Sequence, residues 1–357
     1  MSGLDDVIAA ETHLSEVDGR NGRLTICGHD LDALAGQLSY EGMLALLLSG
    51  LLARSEAEIR LALGEARVRA FAEISHLDAG LLGLSLVEAL RALMARLPDG
   101  EDATTALTLI AAPAVFVPAL IRAEAGNRPI APDPANGHAA DMLAMVQARP
   151  PVPAAIAALD TYLVTVSDHG LNASTFAARV VASTRAGYAS AVLAALGALK
   201  GPLHGGAPGP VLDMLDAIAA PANAAPWLAA ALARGDRLMG FGHRIYRVRD
   251  PRADALKSAL ARLDMAGGTE ASRLALAESV EHQALALLHA AKPGRALETN
   301  VEFYTALLLE ALGFPRDAFT GIFAAGRVGG WLAHAHEQIE TGRLIRPQSR
   351  YIGPRAA

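Results

Sequence analysis

The apolar residues of this chain are mostly helix formers, and this feature limits the possible folds more than any other. Hydrophobic residues make up 52% of the 357 residues, but aromatic residues make up only 4%. Ala and Leu favour helices, whereas strands favour β-branched and aromatic side chains. The composition therefore predicts a nearly all-α protein and disfavours an all-β sandwich. A chain of this length is expected to form two domains, or three.

Segments rich in Ala and Leu alternate with breaks rich in Pro and Gly, which end helices. Ser39 is expected to cap one helix, and Ser55 and Glu58 have the spacing of a capping box. Further helices are predicted over residues 81–97, 106–121, 154–167, 174–199, 211–220, 252–265, 272–291 and 303–312. Short strands are expected only near residues 23–27 and at the C-terminus.

Charge and cysteine content exclude several classes of protein. The 31 basic and 37 acidic residues give a net charge of −6, unlike the basic surface of a nucleic-acid binder. Cys27 is the only cysteine, so an intramolecular disulfide is impossible and a thiolate metal site is disfavoured. Residues 106–121 are too short for a usual membrane span and contain Pro113 and Pro118, which favours a kinked buried helix. Without a signal peptide at the N-terminus, a cytoplasmic location is expected.

Three of the 11 histidines lie in polar or glycine-rich breaks between predicted helices. They are His169, His204 and His243, and such breaks commonly hold functional residues. Their spacing matches no compact metal-ligand motif, so no metal site is predicted. His334 and His336 lie two residues apart on a predicted helix and should point to different faces.

Three arginines also lie beside Pro or Gly, and not on a solvated helix face. They are Arg252, Arg327 and Arg346. Because guanidinium groups bind carboxylates through paired hydrogen bonds, three converging arginines would suit a di- or tricarboxylate. Glu302 begins a strongly apolar helix, where it could interact with the helix dipole or act as a general base in a closed site.

Taken in order, these segments resemble the citrate synthase family over nearly the whole chain. The motifs run from Gly-Arg-Asn-Gly-Arg-Leu at 19–24 and Asp-His-Gly-Leu-Asn-Ala-Ser-Thr at 168–175 to Gly-Pro-Leu-His-Gly-Gly at 201–206. They continue with Met-Gly-Phe-Gly-His-Arg-Ile-Tyr at 239–246, Asp-Pro-Arg-Ala at 250–253, Asn-Val-Glu-Phe-Tyr at 300–304, Gly-Trp-Leu-Ala-His at 330–334 and Arg-Pro at 346–347.

The resemblance implies an all-α homodimer in which two domains close over the substrates. The large domain would comprise residues 1–203 and 313–357, with the dimer interface and the oxaloacetate site. The small domain, residues 204–312, would carry the acyl-CoA site and the catalytic carboxylate. No permanently bound cofactor and no metal are implied, since acetyl-CoA or propionyl-CoA is a substrate.

The resemblance also implies roles for single residues. His204 would hydrogen-bond the thioester oxygen, His243 would polarise the ketone of oxaloacetate, and Glu302 would remove the α-proton. His169, Arg252 and Arg327 fall on oxaloacetate-binding positions, and Arg346 on an arginine usually supplied by the other subunit. Local basicity suggests that the CoA phosphates contact Arg244, Arg247, Arg249 or Lys257.

Two departures from the family pattern leave alternatives open. Glu302 replaces the usual aspartate, and Gly170 stands where many members have glutamate. The expected function is citrate synthesis from acetyl-CoA, oxaloacetate and water. One alternative is a 2-methylcitrate synthase that uses propionyl-CoA, and the other is a non-catalytic or regulatory relative, which the change at 302 suggests.

Overall fold

The computed structural model describes residues 7–205, 209–243, 245–267, 271–292, 294 and 297–354. Helices dominate this part of the chain, as the composition predicts. The first eleven α-helices are α1 Leu31–Leu34, α2 Tyr40–Leu47, α3 Ser49–Leu52, α4 Glu56–Phe71, α5 Ala79–Leu82, α6 Leu86–Met94, α7 Ala103–Glu124, α8 His138–Gln147, α9 Pro153–Val166, α10 Ala173–Ala182 and α11 Tyr188–Leu199. The remaining six are α12 Gly209–Ile218, α13 Ala224–Ala233, α14 Pro251–Met265, α15 Ala271–Ala291, α16 Val301–Ala311 and α17 Phe319–Thr341.

Near the N-terminus, three short strands form an antiparallel sheet in the order β1-β2-β3. They are β1 Ser15–Asp18, β2 Arg23–Ile26 and β3 His29–Asp30. In β2, alternate side chains are buried, because Leu24 and Ile26 face the core. The sheet therefore attaches to the helical body through one strand face.

The apolar helix α7 lies in the centre of the protein and packs against α4, α6, α8 and α17. Pro113 and Pro118 both lie inside it, and the residues around them are buried. Among the described helices, α7 alone is long and apolar enough to cross a membrane by length and composition, but 78% of its most apolar window is buried within the protein. It has the burial of the core helix that the sequence predicts, although at 22 residues it is longer than the segment 106–121 on which that prediction rested.

Two segments that were predicted as single helices are interrupted. Residues 174–199 form α10 and α11, because Arg185 (φ 63°) and Gly187 (φ 92°) adopt left-handed backbone conformations between them. Residues 81–97 form the end of α5 and then α6, separated at 83–85. The expected C-terminal strand is wrong for the described residues, since 342–354 contain no strand.

Helices α14 and α16 pack against each other, and α14 also packs on α9. Each of the two begins beside a predicted site residue, Arg252 or Glu302. Helices α12, α13 and α15 pack near them, through α12 on α16, α12 on α15 and α13 on α15. The division into residues 1–203 with 313–357 and residues 204–312 stays a prediction.

Candidate active site

Two of the three predicted histidines lie together. His169 follows α9, and His243 lies in the loop between α13 and α14. Their ring centroids are 5.8 Å apart, and the ring of Tyr246 contacts both, at 5.6 Å from His169 and 4.8 Å from His243. The Tyr246 hydroxyl also lies 3.2 Å from His169 Nε2. Tyr246 thus joins the two histidine loops.

The backbone determines which nitrogen of His243 carries the proton. Its Nδ1 accepts hydrogen bonds from the amides of Ile245 (3.0 Å) and Tyr246 (3.1 Å). Burial, together with the nearby Arg252, lowers the pKa of His243 to about 4, so the ring is neutral at pH 7. A neutral ring that accepts at Nδ1 must carry its proton on Nε2. His243 Nε2–H is therefore available as a donor to an acceptor in the site.

Arg252 is held by the residue that caps its own helix. Asp250 is the N-cap of α14, and its carboxylate binds the Arg252 guanidinium at Nε (3.0 Å) and Nη2 (2.9 Å). Burial alone would lower the pKa of Arg252, but Asp250 outweighs it and raises that pKa. The same Nη2 lies 3.1 Å from His243 Nε2. Since both atoms are donors, this pair suits a shared anionic or carbonyl oxygen.

Arg327 is a buried cation with an unused donor. It is 1% exposed, its Nε donates to the carbonyl of Val166, and its guanidinium carbon lies 4.9 Å from the ring centroid of Phe323. Its Nη1 is buried and has no hydrogen-bond partner among the described residues. Burial lowers the pKa of Arg327 to about 10, which leaves it charged at pH 7. A buried unpaired guanidinium donor is costly unless an anion binds it, which marks a candidate carboxylate site.

His204 lies in the turn after α11 and contacts the start of α10. Its Nε2 is 2.8 Å from the hydroxyl of Ser174, which also accepts a hydrogen bond from Trp331 Nε1 at 3.1 Å. Burial, followed by the charges of Arg327 and Arg252, lowers the pKa of His204 to about 4. His204 is thus a neutral ring close enough to both arginines to sense their charge.

Glu302 is the second residue of α16. Asn300 caps this helix, because its side-chain oxygen accepts a hydrogen bond from the backbone amide of Glu302 at 3.0 Å. The side-chain nitrogen of Asn300 donates to the carbonyl of Gly242 at 2.9 Å. The start of α16 is therefore tied to the His243 loop. Burial raises the pKa of Glu302, although Arg252 and Arg237 oppose it. The helix-start position fits the dipole interpretation, and the raised pKa fits a general base.

The remaining predicted residues lie in other settings. Arg346 is exposed in the segment after α17, and Arg247 is also exposed. Arg249 is paired with Asp254, and Lys257 with Glu281 at 2.8 Å. Arg244 lies outside the described residues. Within the described residues, no group of three or more His, Cys, Asp or Glu side chains could hold a metal ion.

Several residues that support the site have no role predicted from the sequence. Tyr246 and Asp250 occur inside the quoted motifs, and the Asp-Pro-Arg order is itself a signal, because Asp caps a helix whose first residue is Pro. Ser174 and Trp331 also lie within motifs. His334 and His336 do have different partners: His334 Nε2 lies 3.2 Å from Asp168, and His336 contacts the hydroxyl of Tyr188 at 3.0 Å.

Comparisons with a protein-family model and with individual proteins all point to one family. The family model described as "Citrate synthase, C-terminal domain" matches residues 3–348. A citrate synthase of Haloferax volcanii is 37% identical, with 98% of this chain and 95% of that protein covered. A 2-methylcitrate synthase of Mycobacterium tuberculosis is also 37% identical, with 98% of this chain and 90% of that protein covered.

Solved structures match over the same length. The crystal structure of citrate synthase from Thermotoga maritima has a TM-score of 0.85 and 31% identity, and covers 99% of this chain and 96% of that one. A ternary complex of carboxymethyl coenzyme A and oxaloacetate with citrate synthase from Thermoplasma acidophilum has a TM-score of 0.87 and 28% identity, with the same coverage.

Proposed function

Because this chain belongs to the citrate synthase family, whose members condense an acyl-CoA with oxaloacetate, we propose that it condenses acetyl-CoA with oxaloacetate. The citryl thioester is then hydrolysed to citrate and CoA. The observation that carries this proposal is the grouping of His169, His243 and Arg252, whose rings and guanidinium are in contact, with Arg327 close by. Burial, followed by the charges of Arg252 and Arg327, lowers the pKa of His169, and Nη1 of Arg327 is buried with no partner among the described residues.

Oxaloacetate has two carboxylates and a ketone, and the site offers donors for all three groups. Arg327 supplies Nη1, for which the described residues provide no acceptor, and Arg252 lies beside His243 with its charge maintained by Asp250. Arg346 is exposed in this chain, and we assign it to the site of a second copy in a homodimer. Bidentate guanidinium groups are well matched to carboxylates, so the arginines determine the orientation of the ketone.

The ketone oxygen accepts from His243 Nε2–H. The two backbone amides at Nδ1 keep the proton on Nε2, and the pKa of about 4 keeps the ring neutral. A preorganised donor at a developing oxyanion contributes roughly 3 kcal/mol in such sites. As the new carbon–carbon bond forms, His243 Nε2–H stabilises the alkoxide that replaces the ketone. The alkoxide takes up one proton to become the alcohol, and Glu302 releases the α-proton in the same turnover, so His243 remains neutral.

Enolisation of acetyl-CoA uses Glu302 and His204. A thioester α-proton is far less acidic than a carboxylic acid, so the base needs a donor at the enolate oxygen. Burial raises the pKa of Glu302 and makes its carboxylate a stronger base, while His204 is a neutral hydrogen-bond donor. For the CoA phosphates we favour Arg247 together with Arg244, since Arg249 and Lys257 are already paired with carboxylates.

Propionyl-CoA is the second candidate substrate, because relatives of both names are equally similar, at 37% identity. One methylene in a pocket is worth only about 1–3 kcal/mol, so both thioesters can react at different rates. The product with propionyl-CoA would be 2-methylcitrate.

The test is thiol release upon mixing each thioester with oxaloacetate, followed with a colorimetric thiol reagent between pH 6 and 9. Each thioester without oxaloacetate serves as the control for simple hydrolysis. We expect oxaloacetate-dependent release with a higher kcat/KM for acetyl-CoA. A strong preference for propionyl-CoA would make the protein a 2-methylcitrate synthase, and no release with either thioester would favour a non-catalytic relative.

A further inference from the structure

The β1–β2 hairpin, residues 15–26, contacts two loops of the site, one carrying His169 and the other carrying Tyr246. One end of β1 contacts the segment around His169, and the turn that follows β1 contacts the segment around Tyr246. Neither contact involves the buried Leu24 and Ile26, which attach the hairpin to the core. The hairpin thus has a contact surface separate from the one that stabilises it.

At one end, Ser15 binds the residues on both sides of His169. Its hydroxyl donates to the carboxylate of Asp168 and accepts from the amide of Gly170 at 3.0 Å. Burial alone would raise the pKa of Asp168. Electrostatic attraction to His334, together with hydrogen bonds from His334 and Ser15, instead holds that pKa below its usual range. The Ser15 bond is therefore made to a charged acceptor, which is the stronger kind of hydrogen bond.

At the other end, the hairpin turn lies against the backbone of residues 245–249. The Gly19 carbonyl accepts from the Arg247 amide at 2.7 Å, next to Tyr246. A Cβ on Gly19 would overlap the carbonyl oxygen of Ile245, and one on Gly22 would lie 2.7 Å from that of Arg249. Only glycine allows the turn to approach this loop so closely.

Gly19 lies four positions after Ser15, directly after the extended strand β1, which corresponds to roughly 13 Å of chain. Their two partners flank the contact in which His169 Nε2 lies 3.2 Å from the Tyr246 hydroxyl. We propose that the hairpin is a strap that sets the separation of the His169 and Tyr246 loops, and that Ser15 is a positioning residue for His169 in oxaloacetate binding. The ligand assignment rests on the proposed function.

The first experiment compares Ser15→Ala, Ser15→Thr and the control Ser75→Ala, whose hydroxyl bonds only a local carbonyl, that of Ala72. The dissociation constant of oxaloacetate is measured by titration calorimetry without acyl-CoA. Ser15→Ala is expected to weaken binding about tenfold, equivalent to about 1.4 kcal/mol, while kcat at saturation changes less than about twofold. Ser15→Thr, which keeps the hydroxyl, should restore binding. Binding within twofold of wild type in Ser15→Ala, or failure of Ser15→Thr to restore it, would overturn the role of Ser15.

Two glycine variants distinguish an effect on the strap from a general loss of stability. Gly22 (φ 64°) and Gly28 (φ 83°) both adopt left-handed conformations, but a Cβ on Gly28 would meet nothing within 4 Å. Alanine at either position strains the backbone, and only Gly22→Ala should push residues 245–249 away. We expect about tenfold weaker oxaloacetate binding in Gly22→Ala and an unchanged constant in Gly28→Ala. Equal weakening in both variants would refute the strap.

Hydrogen exchange distinguishes failure of the strap from failure of the proposed function. The Arg247 amide, which donates to Gly19, should exchange at least about tenfold faster in Gly22→Ala than in Gly28→Ala, with or without oxaloacetate. If wild type binds no oxaloacetate but this difference is observed, the strap stands and the proposed ligand is wrong. Equal exchange in the two variants would contradict the strap itself.

Discussion

Variants that change the charge or the length of the Glu302 side chain provide a stringent test of the proposed mechanism. Glu302→Gln keeps the shape of the side chain and removes its ability to take a proton. Because a positioned general base contributes roughly 10²–10⁴ in rate, we expect kcat to fall about a thousandfold. The raised pKa of Glu302 also predicts that wild-type activity falls on the acidic side at a pH above 4.5, as the carboxylate becomes protonated.

Glu302→Asp tests the geometry. It withdraws the carboxylate by about one carbon–carbon bond, roughly 1.5 Å. The backbone has little freedom to compensate, because Asn300 ties the start of α16 to Gly242 at 2.9 Å. Since about 1 Å of misplacement can cost about a hundredfold in rate, kcat should fall by about that factor, although the family resemblance implies aspartate at this position.

Both variants are assayed by thiol release at saturating oxaloacetate and by exchange of the acetyl-CoA α-protons in deuterated water. The matched control is Glu310→Gln on the same helix, where the carboxylate binds Arg273 at 2.9 Å. This control should retain kcat within about twofold. Glu302→Gln with kcat within tenfold of wild type would refute the assignment of the base, and a fully active Glu302→Asp would refute the argument from the fixed helix start.

Two further predictions concern stability. The folded-state pKa values of His204 and His243, about 4, lie below the ordinary value of 6.5, so the unfolded chain takes up protons first as the pH falls. The free energy of unfolding, measured by urea titration, should therefore decrease as the pH falls from 6.5 to 4. Replacing both histidines by Gln should make the free energy of unfolding less dependent on pH. An unchanged pH dependence in that variant would contradict the lowered pKa values. Arg67 forms a buried ion pair with Asp141 at 2.7 Å, so Arg67→Met should cost about 3–5 kcal/mol of unfolding free energy, whereas the exposed Arg96→Met should cost less than about 1. Equal losses in these two variants would contradict the role of burial.

Helix positions were largely predictable because their signals are local. α14 begins at Pro251, after the Asp250 cap, and ends at the predicted Met265. At the break after α10, Arg185 carries little signal of a helix end, because non-glycine residues rarely adopt its left-handed conformation. Gly187, which also has a positive φ, was the signal that could have predicted the break. Strand β1 was missed for a similar reason, since a four-residue edge strand has too few positions to show alternation.

The sequence by itself determined the helical class, because helix propensity and caps depend on near neighbours along the chain. The order of its short motifs indicated the family and identified the candidate site residues His169, His243, Arg252 and Arg327. Only the tertiary structure decided which of these candidates meet. It also left one guanidinium nitrogen of Arg327 buried with no partner in the described part of the chain, and assigned the proton of His243 to Nε2. Ser15 contacts Asp168 from 153 positions away. Such contacts form when distant segments bury their surfaces together, and local residue patterns do not specify which segments will meet.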